Sequence, residues 1–256
     1  MLVKMPITFA LSGFLAVILA LIHLFCGKLR FVDIPRSRWL SGAGGVSVAY
    51  VFIHLLPELS EYQFLLRKSQ TGIIFYIENH VYLIALIGLG IFYWLERLAI
   101  VSCQRQQKVG KGKVTTVEIF WLNIVSFAIY NSLIGYLLLH REQTDIANLI
   151  SFTSAMALHF IVNDHGLRQN HKSIYDRFGK WILAFSIILG WVIGSATKIT
   201  EAAIAVLFSF LAGGIILNVL KEELPEERES RFWAFALGAC IYAILSNTQT
   251  IIEFYR

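Results

Sequence analysis

The sequence predicts an all-α polytopic membrane protein: one transmembrane domain, 1–256, of eight helices. Three observations predict it. Hydrophobic residues make up 57% of the 256-residue chain and charged residues only 15%, against about 25% charged and 45–50% apolar in an ordinary soluble domain. The apolar residues sit in long uninterrupted runs, not scattered as in a soluble core. The basic residues concentrate in every second loop. Together these argue against a free-standing soluble enzyme.

Eight stretches contain no Lys, Arg, Asp or Glu: Met5–Gly27, Trp39–Pro57, Asn79–Leu95, Ile119–His140, Ile146–Asn163, Trp181–Thr197, Ala202–Leu220 and Phe232–Ile252. Each suits a hydrocarbon core that takes about 20 residues of helix. Allowing for flanking turns, the expected spans are 5–27, 39–57, 79–99, 117–140, 146–164, 181–197, 202–221 and 232–252. In lipid a segment must satisfy its own backbone N–H and C=O groups, so the spans are helices. The short alternating segments of a membrane barrel are absent. The first run follows Lys4 as a signal peptide's would, but it is too long and is followed by Gly27-Lys28-Leu29-Arg30 in place of a small-residue cleavage site, so it reads as a span. Thr71–Ile77 is apolar but too short to cross; it reads as an extension of the third helix or an interfacial segment.

Charge sets the orientation. The loops after spans 1, 3, 5 and 7 carry 4, 5, 4 and 3 Lys or Arg residues, which is 16 of the 22 in the chain. Short basic loops stay cytoplasmic, so both termini are expected outside, in a plasma or inner membrane. The formal charge of +5 is then a by-product of topology and calls for no nucleic acid, although the tract Arg105–Lys113 suits anionic headgroups. Cys26, Cys103 and Cys240 have no paired spacing, which indicates neither a disulfide framework nor a zinc knuckle.

The chain also echoes itself. Ala43-Gly44-Gly45-Val46 and Ala212-Gly213-Gly214-Ile215 lie in spans 2 and 7, each followed by Leu-Pro-Glu, at Leu56-Pro57-Glu58 and Leu224-Pro225-Glu226. Those spans run in opposite directions, which suggests an inverted repeat of spans 1–3 and 6–8, a common build for secondary transporters. The plainer reading is that small residues let helices pack closely.

Polar groups at membrane depth usually face a cavity or a partner. They are His54 in span 2; Asn123 and Asn131 in span 4; His159, Asn163 and Asp164 in span 5; Asn218, Glu222 and Glu223 in span 7; and Asn247 in span 8. His159 and Asn163 are four residues apart and share a helix face, a spacing that can offer two ligands to one metal. Hydrogen bonding to neighbouring helices is the competing explanation. His23 reads as a lone interface residue. His80, His140, His165 and His171 read as solvated groups at span ends or in loops.

Three short endings give the chain a likeness over nearly its whole length. Span 2 ends His54-Leu55-Leu56-Pro57-Glu58, span 3 ends Leu95-Glu96-Arg97, and span 7 leads into Leu224-Pro225-Glu226. With eight spans and outward termini, the chain resembles the ZIP family of divalent metal transporters. The resemblance implies inward movement of a divalent cation (zinc, iron or manganese) as substrate, with no permanently bound cofactor and no enzymatic activity. The implied metal path has His54 and Glu58 at the outer entry, His159, Asp164, Asn131 and Asn163 at the midplane, and Glu222 and Glu223 at the cytosolic side. The implied partners are the metal ion and the lipid bilayer, with a homodimer allowed.

The metal motifs depart from the family pattern. A fourth helix of the form H-N-x-x-D/E-G is here Tyr130-Asn131-Ser132-Leu133-Ile134-Gly135, and a fifth of the form H-E-x-P-H/E-E/G is His159-Phe160-Ile161-Val162-Asn163-Asp164. Span 6 holds no acid, and the loop between spans 3 and 4 holds no His. Burying a doubly charged ion requires negative or strongly donating ligands, and among the four midplane residues only Asp164 carries a formal charge. A weak mononuclear site is expected in place of a tight binuclear one. A ZIP-like protein that has lost transport and binds, senses or scaffolds remains the alternative. An intramembrane enzyme is disfavoured, since no HExxH or GxSxG motif occurs.

Overall fold

The structure is a computed structural model that describes residues 4–28, 38–68, 80–110, 112, 114–140, 146–223 and 232–254. Among the described residues it is all-helical. The helices are α1 (Lys4–Phe25), α2 (Arg38–Tyr50), α3 (Leu56–Lys68), α4 (Val81–Lys108), α5 (Val117–His140), α6 (Ile146–Asn170), α7 (Lys180–Ala196), α8 (Glu201–Glu223) and α9 (Phe232–Phe254). Apart from end residues, the described part of each uncharged run falls on these helices, the second on α2 and its continuation. Thr71–Ile77, Leu224-Pro225-Glu226 and the side chains of Glu222, Glu223 and Asn247 lie outside the described residues.

Among the described residues, five helical stretches are long and apolar enough to cross a membrane: Ile7–Phe25, Val81–Lys108, Val117–His140, Lys172–Ala196 and Glu201–Lys221. Helices α6 and α9 are 25 and 23 residues long. Helix α2 ends at a π turn, Val51–Leu55, where the Leu56 N–H bonds back to the Val51 carbonyl. Pro57 explains that turn: it lacks an N–H, and its ring crowds the preceding turn, so the helix widens before continuing as α3. A second π turn, Tyr175–Gly179, leads into α7.

Both faces of α1 are apolar. Ser12, Leu15, Ala16, Leu19, Ala20 and His23, spaced three and four apart, are buried, while Phe14, Val17, Leu21 and Phe25 are exposed on the other side. Exposed Trp181, Phe185, Leu189 and Val192 do the same for α7. A helix that is apolar all round belongs in a core or in lipid, and these outward faces have the character of lipid-facing surface.

The helices group into two compact units. Unit 1 is Met1–Lys28 with Gly90–Leu207, and unit 2 is Leu29–Leu89 with Phe208–Arg256. Each is closed by glycine seams. In unit 1, Gly135 of α5 meets the Ile187 carbonyl of α7, and Gly190 of α7 meets the Ser132 carbonyl of α5. In unit 2, Gly45 of α2 and Gly238 of α9 meet the Phe235 and Gly42 carbonyls, while Gly88 and Gly213 join α4 to α8 in the same reciprocal way. A Cβ at any of these glycines would overlap the opposing carbonyl. The echoed Gly45 and Gly213 therefore act as contact points for closely packed helices.

Candidate functional site

Four helices of unit 1 bring polar groups together. Asn131 on α5, His23 on α1 and Asp164 on α6 form one chain: Asn131 Nδ2 lies 3.0 Å from His23 Nε2, and His23 Nδ1 lies 2.7 Å from Asp164 Oδ2. Helix α7 supplies the anchor, the Leu183 carbonyl, which accepts from Asn131 Nδ2 at 3.3 Å. The chain is sealed: relative exposure is 0% for His23 and Asp164 and 1% for Asn131. The Tyr175 hydroxyl is the hydrogen-bonding neighbour of the Asp164 carboxyl, although neither Tyr175 Oη nor Asp164 Oδ1 completes a hydrogen bond at full geometry among the described residues. Asn131 Oδ1 is likewise buried without one.

His159 addresses a different neighbour. It is five positions from Asp164, so its side chain leaves α6 roughly 140° away around the axis, by the period of 3.6 residues per turn. Its ring lies 5.4 Å from that of Tyr130 on α5. The Phe160 ring contacts both imidazoles, 4.4 Å from His23 and 6.0 Å from His159. Phe160 and Tyr130 occupy positions where the family motif has an acid and a histidine, so aromatic rings stand where charged or coordinating groups were expected. Among the described residues no three His, Cys, Asp or Glu side chains are gathered as a metal site. The expected donor pair, His159 with Asp164, is thus split between two neighbours, and Asp164 is instead bonded to His23. Asn163 is half-buried.

The end of this region beyond Asp164 is held by a second ion pair. Arg168, one turn beyond Asp164 on α6, donates through Nε and an Nη to both oxygens of Asp176, at 2.8 and 3.0 Å. Its guanidinium lies against Gly27, at the end of α1. Cys26 donates to the Ile161 carbonyl at 3.5 Å.

The remaining expected residues belong to unit 2. His54 sits in the π turn, and its Nδ1 and the Tyr242 hydroxyl are hydrogen-bonded at 3.1 Å. Its ring stacks on Tyr50, with centroids 5.9 Å apart. Glu58 is buried on the first turn of α3.

Several histidines depart from expectation. His23 is a central member of the chain, not a lone interface residue. The one signal in the sequence was that it is the single ionisable group deep within the first span. His140 and His171, expected in solvent, bond instead to backbone carbonyls of Gly194 and Thr115, each at 2.7 Å. No protein-family model, curated protein or solved structure matches this chain.

Proposed function

We propose that this chain is an integral membrane transporter that moves a divalent metal cation into the cytosol, with the cation site in the polar core of unit 1. The observation that carries the reading is the buried Asn131–His23–Asp164 chain, set among helices of membrane-crossing length. Ionisable side chains at membrane depth are costly, and they mark ion or proton pathways by default. The motif endings that resemble the ZIP family supply the cargo class. Asp164 is the main donor at this site with Asn131 in support, while His159 and Asn163 serve the same path from other faces of α6. Imidazole suits zinc and iron, whereas carboxylate and amide oxygens suit manganese. His54 and Glu58 at the outer entry and Glu222 and Glu223 at the cytosolic side belong to the same proposed path.

The finer topology is part of the same proposal: eight spans, both termini outside, and an inverted repeat. Its support is the set of uncharged runs, the 16-to-6 division of basic residues between alternating loops, and the Gly-Gly…Leu-Pro-Glu echo.

The test is uptake of zinc, manganese or iron into proteoliposomes. Asp164→Ala is expected to abolish uptake and His159→Ala to reduce it sharply. Unchanged uptake in both variants would sink the site assignment.

One observation favours a second reading, a ZIP-like module that binds or scaffolds without transport. The Asp164 carboxylate is already engaged by His23, and no cluster of three metal-binding side chains is gathered among the described residues. A ligand that binds only the native state must raise its melting temperature. This second reading therefore predicts no shift with micromolar zinc or manganese.

A further inference from the structure

Hydrogen-bond direction along the buried chain is settled by one carbonyl. The Leu183 carbonyl can only accept, so the atom 3.3 Å from it is the amide nitrogen of Asn131. That same nitrogen faces His23 Nε2 at 3.0 Å. An N–H pointing at Nε2 requires a lone pair there, which leaves the ring proton on Nδ1, from where it donates to Asp164 Oδ2 at 2.7 Å. Both ring nitrogens are spoken for within the protein. Neither offers a lone pair to a metal.

The atoms left open are oxygens. Asp164 Oδ1 and Asn131 Oδ1 are buried and complete no hydrogen bond at full geometry among the described residues, with the Tyr175 hydroxyl standing beside the Asp164 carboxyl. A buried carboxylate oxygen without a completed hydrogen bond is costly, and a bound cation offsets that cost. The ring that holds these groups is itself braced by Phe160, 4.4 Å away.

We infer that His23 is a positioning residue of the cation site: it grips Asp164 by Oδ2 and Asn131 by Nδ2, and so presents Asp164 Oδ1 to an oxygen-preferring divalent cation. This rests on the reading of unit 1 as a cation site and deepens it. Partners that orient a ligating side chain typically change metal affinity 10- to 100-fold when removed. The chemistry presented is hard carboxylate oxygen, which suits Mn2+ better than softer ions, and Mn2+ is the probe of choice.

Three variants separate the roles of the two ring nitrogens. In His23→Asn the side-chain nitrogen stands near the place of Nδ1 and keeps the donor to Asp164. In His23→Gln it stands near the place of Nε2 and loses that donor, and His23→Ala loses both. Titration of the purified full chain with Mn2+, read by electron paramagnetic resonance, is expected to show affinity about 10- to 100-fold weaker in His23→Gln and His23→Ala. His23→Asn is expected to stay close to wild type. Loss in His23→Asn equal to that in His23→Ala would overturn the inference, as would wild-type affinity in all three. If the wild-type chain binds no Mn2+, the underlying cation site fails as well. If it binds, and only Asp164→Ala abolishes binding, the cation site stands and the role of His23 falls.

A measurement on the unaltered protein guards against misfolded variants. Nitrogen-15 solid-state NMR of His23 is expected to show the Nδ1–H tautomer both without Mn2+ and with a diamagnetic stand-in, Mg2+. An Nε2–H tautomer, or a metal-coordinated nitrogen, would overturn the inference.

Discussion

In unit 1, His23 is fully buried and hydrogen-bonded on one side to a carboxylate and on the other to an amide. In unit 2, His54 is half-buried, stacked on Tyr50 and bonded to a neutral Tyr242 hydroxyl. Both units close their helices with the same reciprocal glycine contacts. The packing strategy is therefore shared, and the electrostatics of the two histidines is not. A neutral, partly exposed pair needs little compensation. A sealed pair that includes an acid makes the structure depend on both members, and such an arrangement is the one expected where ions pass.

The largest expected effect breaks the charged side of this contrast. Asp164→Ala leaves the His23 N–H buried without an acceptor, and an unsatisfied buried donor costs about 1–3 kcal/mol, to which the lost packing of the carboxyl adds. Thermal denaturation in detergent should show it. Replacing both members, as His23→Leu with Asp164→Leu, should recover most of that stability, because an apolar pair of similar volume is often neutral or better. The same double variant should bind no Mn2+. Recovered stability with lost binding would separate the fold's needs from the site's.

Next come the seams, where the two units should behave alike. Gly135→Ala in unit 1 and Gly45→Ala in unit 2 each drive a Cβ into a backbone carbonyl across the helix contact. Overpacking of this kind costs about 1–3 kcal/mol. Similar losses in the two, measured by the same denaturation, would support a shared mode of packing. A loss confined to one would show that the seams differ in how far they can relax.

The smallest effect belongs to unit 2. Tyr242→Phe removes the hydroxyl from His54, and an interhelical hydrogen bond of this kind averages about 0.6 kcal/mol. Stability should fall by that order and cation uptake should be unchanged. A loss of uptake as large as that of Asp164→Ala would make the His54–Tyr242 pair as necessary to transport as Asp164 and erase the contrast between the units.

Helix positions were legible in the sequence because the signal is local: an uncharged run of membrane length must satisfy its own backbone, and apart from end residues the described part of every such run lies on a helix. The importance of Asn131 and Asp164 was legible for a similar reason, since polar groups in apolar runs demand partners. What the partners are was not. His23 and Asp164 are 141 positions apart, and no periodicity links residues on α1 and α6. The i,i+4 spacing of His159 and Asn163 correctly describes one face of α6, but it says nothing of the face that meets α1, and Asp164 is on that one. The π turn at Val51–Leu55 was half legible: Pro57 announces a disturbed helix, but not that the disturbance would widen the helix and leave it continuous.

The central claim is that a divalent cation crosses by way of unit 1 and Asp164. Its most direct test is manganese uptake into proteoliposomes by wild type, Asp164→Asn and Tyr242→Phe at matched protein density. Asparagine keeps an acceptor for His23 while removing the charge, so folding is preserved as far as a single substitution allows. The account predicts uptake in wild type and Tyr242→Phe and none above protein-free vesicles in Asp164→Asn. Uptake by Asp164→Asn at the wild-type rate would contradict it.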